Sequence, residues 1–134
     1  MKPIIDVEGI GDAFAQKLNE AGVKHVETLL ERGGTPAGRA ELESATGISG
    51  ANLLKWINRA DLDRVRGIGS EFADLLEAAG VDTVPELAQR NAANLAAKLA
   101  ELNEVKQLVR QAPSESQVER WIEEAKALPR AISY

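Results

Sequence analysis

One stretch of this sequence occurs twice. Residues 7–31 read VEGIGDAFAQKLNEAGVKHVETLLE, and residues 65–89 read VRGIGSEFADLLEAAGVDTVPELAQ, a constant offset of 58. The identical positions are mostly glycines and apolar residues, whereas the polar positions vary. Because glycines set turns and apolar residues fill cores, we expect two copies of one fold.

The later parts of the two copies match more loosely. Residues 53–60, LLKWINRA, resemble residues 118–125, VERWIEEA, at an offset of 65. The second copy therefore carries an insertion of about seven residues, which we place near residues 103–111. This predicts two domains, residues 1–60 and 61–134. Each is close to the lower size limit for independent folding, so we expect the two to be packed together.

The spacing of apolar residues predicts an all-α fold. Such residues recur every three or four positions, strand alternation is absent, and each unit should contain four to five short helices. In the first unit we expect Gly22 to end the first helix, and Thr35 to cap a later helix whose first turn contains Pro36. The predicted helices lie near residues 11–21, 23–31, 35–45, 51–60, 70–79, 83–90, 92–102, 104–111 and 115–127.

Composition excludes several classes of function. The 134 residues include no Cys and a single His, so disulfides, thiol catalysis and Cys or His metal sites are not expected. The net charge of −5 argues against binding to nucleic acid or membranes through the overall field. No apolar run could span a bilayer, and the expected location is the cytoplasm. We expect no cofactor, no small-molecule substrate and no catalytic site.

The repeated Gly-Ile-Gly turns have a chemistry of their own. The isoleucine would point into the core, while the glycines allow positive φ and close approach of the backbone. A helix that begins at the second glycine leaves its first amides unpaired at a positive helix end. These turns serve either to let two helices meet closely or to hold a phosphate.

The pattern at residues 7–18 and 65–76 resembles the helix-hairpin-helix motif, with a degenerate second hairpin at residues 45–49. Similar domains occur in strand-exchange recombinases and at the C-terminus of the RNA polymerase alpha subunit. Two tandem units resemble an uncharacterised bacterial family often labelled flap-endonuclease-like. The resemblance implies sequence-independent contact with DNA phosphates. The residues it implies, with their supporting cations, are Gly9, Ile10, Gly11, Gly47, Ser49, Lys55, Arg59, Arg66, Gly67, Ile68, Gly69 and Ser70.

Some residues depart from a DNA-binding pattern. Asp12 and Glu71 lie at the helix starts, where a carboxylate would repel phosphate. The net charge is −1 for residues 1–60 and −4 for residues 61–134, which favours the first unit as the DNA-binding one. The late hairpin of the second unit, residues 112–115, has no glycine and is expected to be structural only, while Trp56 and Trp121 should lie in the core.

Two functions follow from this sequence. The first is a non-enzymatic, sequence-independent nucleic-acid-binding module whose partner is DNA. The alternative is a protein-interaction or scaffold module that kept the fold and lost the phosphate site, with a protein partner. An enzyme is not expected, because no nucleophile with a base and no cluster of metal ligands can be assembled from the spacing.

Overall fold

A computed structural model describes residues 2–7 and 9–134, and it confirms the all-α fold class. A short 3-10 helix spans Ile4–Asp6, and an isolated antiparallel bridge joins Pro3 to His25. The described α-helices are, in chain order, α1 (Asp12–Glu20), α2 (Val26–Gly33), α3 (Pro36–Thr46), α4 (Gly50–Leu62), α5 (Ser70–Ala78), α6 (Val84–Ala88), α7 (Ala92–Lys106) and α8 (Glu115–Ala127).

Short-range signals place most helix ends. Gly22 follows α1 with a φ of 89°, and its counterpart Gly80 follows α5 with a φ of 88°. Thr35 accepts a hydrogen bond from the Gly38 amide at 3.0 Å and caps α3, with Pro36 in the first turn. These residues act as local sequence chemistry predicts.

The separate helix predicted over residues 104–111 is wrong. Helix α7 instead continues through Lys106 and ends at Gln107, which adopts the left-handed conformation with a φ of 50°. The segment that follows is held by Asn103, whose side-chain amide donates to the Val109 carbonyl and accepts from the Val109 amide, both at 3.0 Å. This pair of bonds gives the segment a fixed irregular course, and the segment lies where the sequence predicts the insertion.

The chain divides into two compact units. The first unit comprises Met1–Asp61 with Ala131–Tyr134, and the second unit comprises Leu62–Arg130. Residues 131–134 therefore group with the first unit, whereas the sequence boundary placed them with the second. Each unit has a hydrophobic core of its own that contains its tryptophan, Trp56 in the first unit and Trp121 in the second. Both indoles are buried, at 2% and 3% exposure, as predicted.

Residues 131–134 are fixed to the first unit by polar and apolar contacts. The Ser133 amide donates to the Gly34 carbonyl at 2.7 Å. The guanidinium of Arg39, a buried residue, donates to the carbonyls of Ser133 at 2.7 Å and Gly33 at 2.9 Å. Ile132, only 2% exposed, belongs to the core of this unit. The hydrogen bonds of Ser133 and the buried side chain of Ile132 thus fix this segment to the first unit.

Replacement of Ile132 should therefore destabilise the protein. Ile132→Ala leaves a cavity, and we expect the free energy of unfolding to fall by about 2–5 kcal/mol. Ile5→Ala is the matched control, because Ile5 is 41% exposed and its loss should change stability by less than about 0.5 kcal/mol. Urea denaturation followed by tryptophan fluorescence measures both values. Equal effects of the two substitutions would contradict the role assigned to Ile132.

Candidate functional site

The two Gly-Ile-Gly sequences form the same turn. The Ile10 amide donates to the Val7 carbonyl at 3.1 Å, and the Ile68 amide donates to the Val65 carbonyl at 3.3 Å. Both isoleucines are buried, so their side chains serve as anchors and only their backbones lie in the turn. We call the turn at residues 7–11 the first hairpin and the turn at residues 65–69 the second hairpin; Glu8 lies outside the described residues.

The first glycine of each hairpin is required by backbone conformation and by packing. Gly9 has a φ of 93° and Gly67 a φ of 87°, values that side chains disfavour. A Cβ atom on Gly9 would lie 3.1 Å from Nε1 of Trp56. On Gly67 it would lie 3.2 Å from Nε1 of Trp121. The hairpin backbone therefore rests directly on the indole edge.

Each indole is in turn supported by a phenylalanine from the helix that follows the hairpin. The ring centroids of Phe14 and Trp56 are 5.0 Å apart with an interplanar angle of 58°. Those of Phe72 and Trp121 are 5.2 Å apart at 59°. Such tilted pairs contribute about 0.5–1.5 kcal/mol beyond their burial. The same glycine, tryptophan and phenylalanine arrangement thus positions both hairpins.

The second glycine of each hairpin is not required by the fold. Gly11 and Gly69 adopt extended backbone conformations that any residue can take, with φ of −83° and −90°. A Cβ atom on either would meet nothing within 4 Å. Both residues are exposed, and the space that a Cβ atom on either glycine would occupy is open.

These glycines also leave the helix amides uncapped. Gly11 and Gly69 are the N-caps of α1 and α5, with no side-chain cap hydrogen bond. No hydrogen bond between described residues uses the amide of either glycine. By contrast, hydroxyl or amide side chains cap five other helices: Thr35 for α3, Ser49 for α4, Thr83 for α6, Asn91 for α7 and Ser114 for α8. The amides of Gly11 and Gly69 therefore stand at exposed, positive helix ends.

Charged residues of both signs occur on the helices that begin at the hairpins or carry the tryptophans. Asp12 and Glu71 are exposed in the first turns of α1 and α5. Lys55 and Arg120, also exposed, each precede a buried tryptophan and occupy matched positions at the offset of 65. At the second hairpin, Gly67 and Arg120 help to line a shallow cavity of about 300 Å³ whose other lining residues are Arg66, Gln117, Trp121 and Glu124.

Two other predicted site residues use their polar atoms within the first unit. Gly47, with a φ of 73°, ends α3 and donates its amide to the Glu43 carbonyl at 2.8 Å. The Ser49 hydroxyl accepts from the Asn52 amide at 3.2 Å in the first turn of α4. This late turn therefore caps two helices. Its counterpart in the second unit contains no left-handed glycine, and Ser114 caps α8 by accepting from the Gln117 amide at 3.2 Å.

The remaining predicted residues lie at the edges of the hairpins. Ser70 is exposed at the start of α5, Arg66 is exposed within the second hairpin, and Arg59 is half-buried near the end of α4. Sequence reasoning missed Arg120 and Glu124, which line the cavity at Gly67. Both could have been found from the offset of 65, because they match Lys55 and Arg59.

Two kinds of feature are absent from the part of the chain that the structure describes. Within residues 2–7 and 9–134, no group of three or more His, Cys, Asp or Glu residues could hold a metal ion. Asp61, which is fully buried, belongs to no such group. Across the same residues, no helix has both the length and the apolar character needed to cross a bilayer.

Comparison with protein families identifies a family whose function is unknown. Residues 8–128 match the family described as Domain of unknown function (DUF4332). The chain belongs to this family. The match begins within the first hairpin and includes the whole second hairpin and both tryptophans, so it extends over most of both units. No curated protein and no solved structure matches the chain. Since the family description assigns no activity, the function has to be argued from the hairpins themselves.

The two glycines of a hairpin should respond differently to substitution. Gly9→Ala forces an alanine into positive φ against Trp56, and we expect the free energy of unfolding to fall by about 1–2 kcal/mol or more. Gly11→Ala meets no steric obstacle, and stability should be unchanged or raised by up to about 1 kcal/mol. Urea denaturation of both variants measures the difference. An equal loss of stability in the two would refute the distinction.

Proposed function

We propose that this protein is a non-enzymatic module that binds nucleic acid without sequence specificity, through backbone phosphates at its glycine hairpins. The observation that carries the proposal is the glycine at the start of α1 and of α5, where the fold itself accepts any residue. A side chain there would obstruct anything approaching the helix amides from outside. The resemblance to helix-hairpin-helix proteins favours a phosphate as the group that approaches these amides.

A few groups at the hairpin would bind the phosphate. A phosphate oxygen in front of Gly11 would accept hydrogen bonds from helix amides, each worth about 1.5–3 kcal/mol for a charged partner. The positive end of α1 adds about 0.3–1 kcal/mol. Lys55 supplies a nearby mobile cation. This chemistry needs no net positive charge on the chain, so a net charge of −5 does not oppose it.

The proposal predicts weak and salt-sensitive binding. With few phosphates neutralised, we expect a dissociation constant of about 10–100 μM for a short duplex at low salt, and a marked loss of affinity at physiological salt. Titration of a fluorescent duplex by anisotropy at the two salt concentrations measures this. Absence of salt-sensitive binding at low ionic strength would overturn the proposal.

Lys55 provides a variant test of the same proposal. Lys55→Ala should weaken duplex binding about two- to fivefold and reduce the slope of log K against log salt by about 0.9, because one phosphate contact is lost. Lys98→Ala is the matched control: Lys98 is exposed on α7, outside both hairpins, and its loss should leave the slope unchanged. Equal slopes of log K against log salt for the two variants would show that Lys55 does not contact the duplex.

One observation favours a second function, a protein-interaction or scaffold module. The exposed carboxylates of Asp12 and Glu71 stand in the first turns of α1 and α5 and compete with any external anion for the positive helix ends. Their substitution separates the two functions. In a nucleic-acid-binding module, Asp12→Asn should strengthen duplex binding. In an interaction module, Asp12→Asn should not create salt-sensitive duplex binding at all.

A further inference from the structure

One contact at the second hairpin joins its backbone to a carboxylate. At the second hairpin, the Arg66 amide donates to both carboxylate oxygens of Glu124, at 3.2 Å each. Glu124 lies three residues after Trp121 on α8, the helix that supports this hairpin. The matched residue of the first unit, three after Trp56, is Arg59. A carboxylate therefore stands in the second unit where the first unit has a cation.

The contact places an anion against the hairpin backbone. The amide that donates to this carboxylate is a donor that a phosphate oxygen could also use. Glu124 is half-buried and lines the same shallow cavity as Gly67, so its carboxylate occupies space at the hairpin surface. An external phosphate could reach the Arg66 amide only by displacing it.

The surroundings of this carboxylate are those of an anion site. Arg66 and Arg120, both exposed, line the cavity together with Glu124. Neither guanidinium makes a hydrogen bond or an ion pair with another described residue. Two cationic residues and one carboxylate thus line the same cavity, and removal of the carboxylate would leave a lining of net positive charge.

We infer that Glu124 is an intramolecular substitute for a phosphate at the second hairpin. It satisfies the Arg66 amide and excludes external phosphate from the cavity, so that the first hairpin carries the contact with nucleic acid. The part of this inference that concerns nucleic acid rests on the proposed function. The claim that Glu124 occupies the Arg66 amide can be tested separately. A residue that only braced the loop would leave phosphate binding unchanged when replaced.

The first test compares two substitutions of equal charge. Glu124→Arg installs the residue type of the first unit, and Glu123→Arg makes the same charge change one residue earlier, at a side chain that is 67% exposed. In the duplex titration at low salt, we expect Glu124→Arg to bind about fivefold more tightly than Glu123→Arg, since it opens a second phosphate site. Equal affinities of the two variants would overturn the inference.

The second test uses inorganic phosphate and does not depend on nucleic acid. Glu124→Gln keeps the size of the side chain and an oxygen acceptor but removes the charge. In amide-resolved NMR, we expect phosphate to shift the Arg66 and Gly67 signals in Glu124→Gln and to leave them in place in the wild-type protein. Equal shifts in both proteins, or no shift in either, would overturn the inference even if Glu124→Arg failed to fold.

The two tests separate the two claims. If phosphate shifts the Arg66 signal only in Glu124→Gln while the wild-type protein fails to bind duplex, the proposed function is wrong and the inference about Glu124 holds. If the wild-type protein binds duplex with the expected salt dependence while Glu124→Arg and Glu123→Arg bind equally, the proposed function holds and the inference is wrong.

Discussion

Each unit is organised by the contact between a hairpin glycine and the indole of its last helix. The glycine must adopt positive φ, and it must lack a side chain because Nε1 of the tryptophan lies about 3 Å from where a Cβ would stand. A buried isoleucine anchors the turn from within, and a phenylalanine of the next helix packs on the indole. These contacts fix the direction in which α1 and α5 begin, and thereby where their uncapped amides face solvent.

Features carried by short-range chemistry could be predicted from the sequence. The all-α class follows from apolar spacing, and the cap at Thr35 and the left-handed turns at Gly22 and Gly80 follow from residue type. The burial of both tryptophans follows from their repetition in the last helix of each unit. In each case the information lies within a few residues of the feature, so one sequence suffices.

Features that join distant residues could not be predicted in this way. Arg39 bonds to Ser133 across 94 positions, and the Arg66 amide bonds to Glu124 across 58 positions. The spacing of residues along the sequence does not reveal such pairs, because they depend on how the helices pack. The extension of α7 could not be predicted for a related reason. The Asn103 side chain bonds to the Val109 backbone, but nothing in the sequence distinguishes Asn103 from any other polar residue of a helix. The sequence thus predicted the glycines of the candidate site. It did not predict which charged residues lie at each of the two hairpins.

A net charge of −5 describes this protein poorly, because the chemistry at the hairpins is decided by single residues near the helix starts. The proposed function requires the amides at the first hairpin to contact phosphate. Amide-resolved NMR during titration with a short duplex at low salt tests it most directly. The account predicts that the largest shifts fall on Gly9, Gly11 and the first turn of α1, and that they shrink at physiological salt. Largest shifts at a site away from both hairpins, or none at low salt, would contradict it.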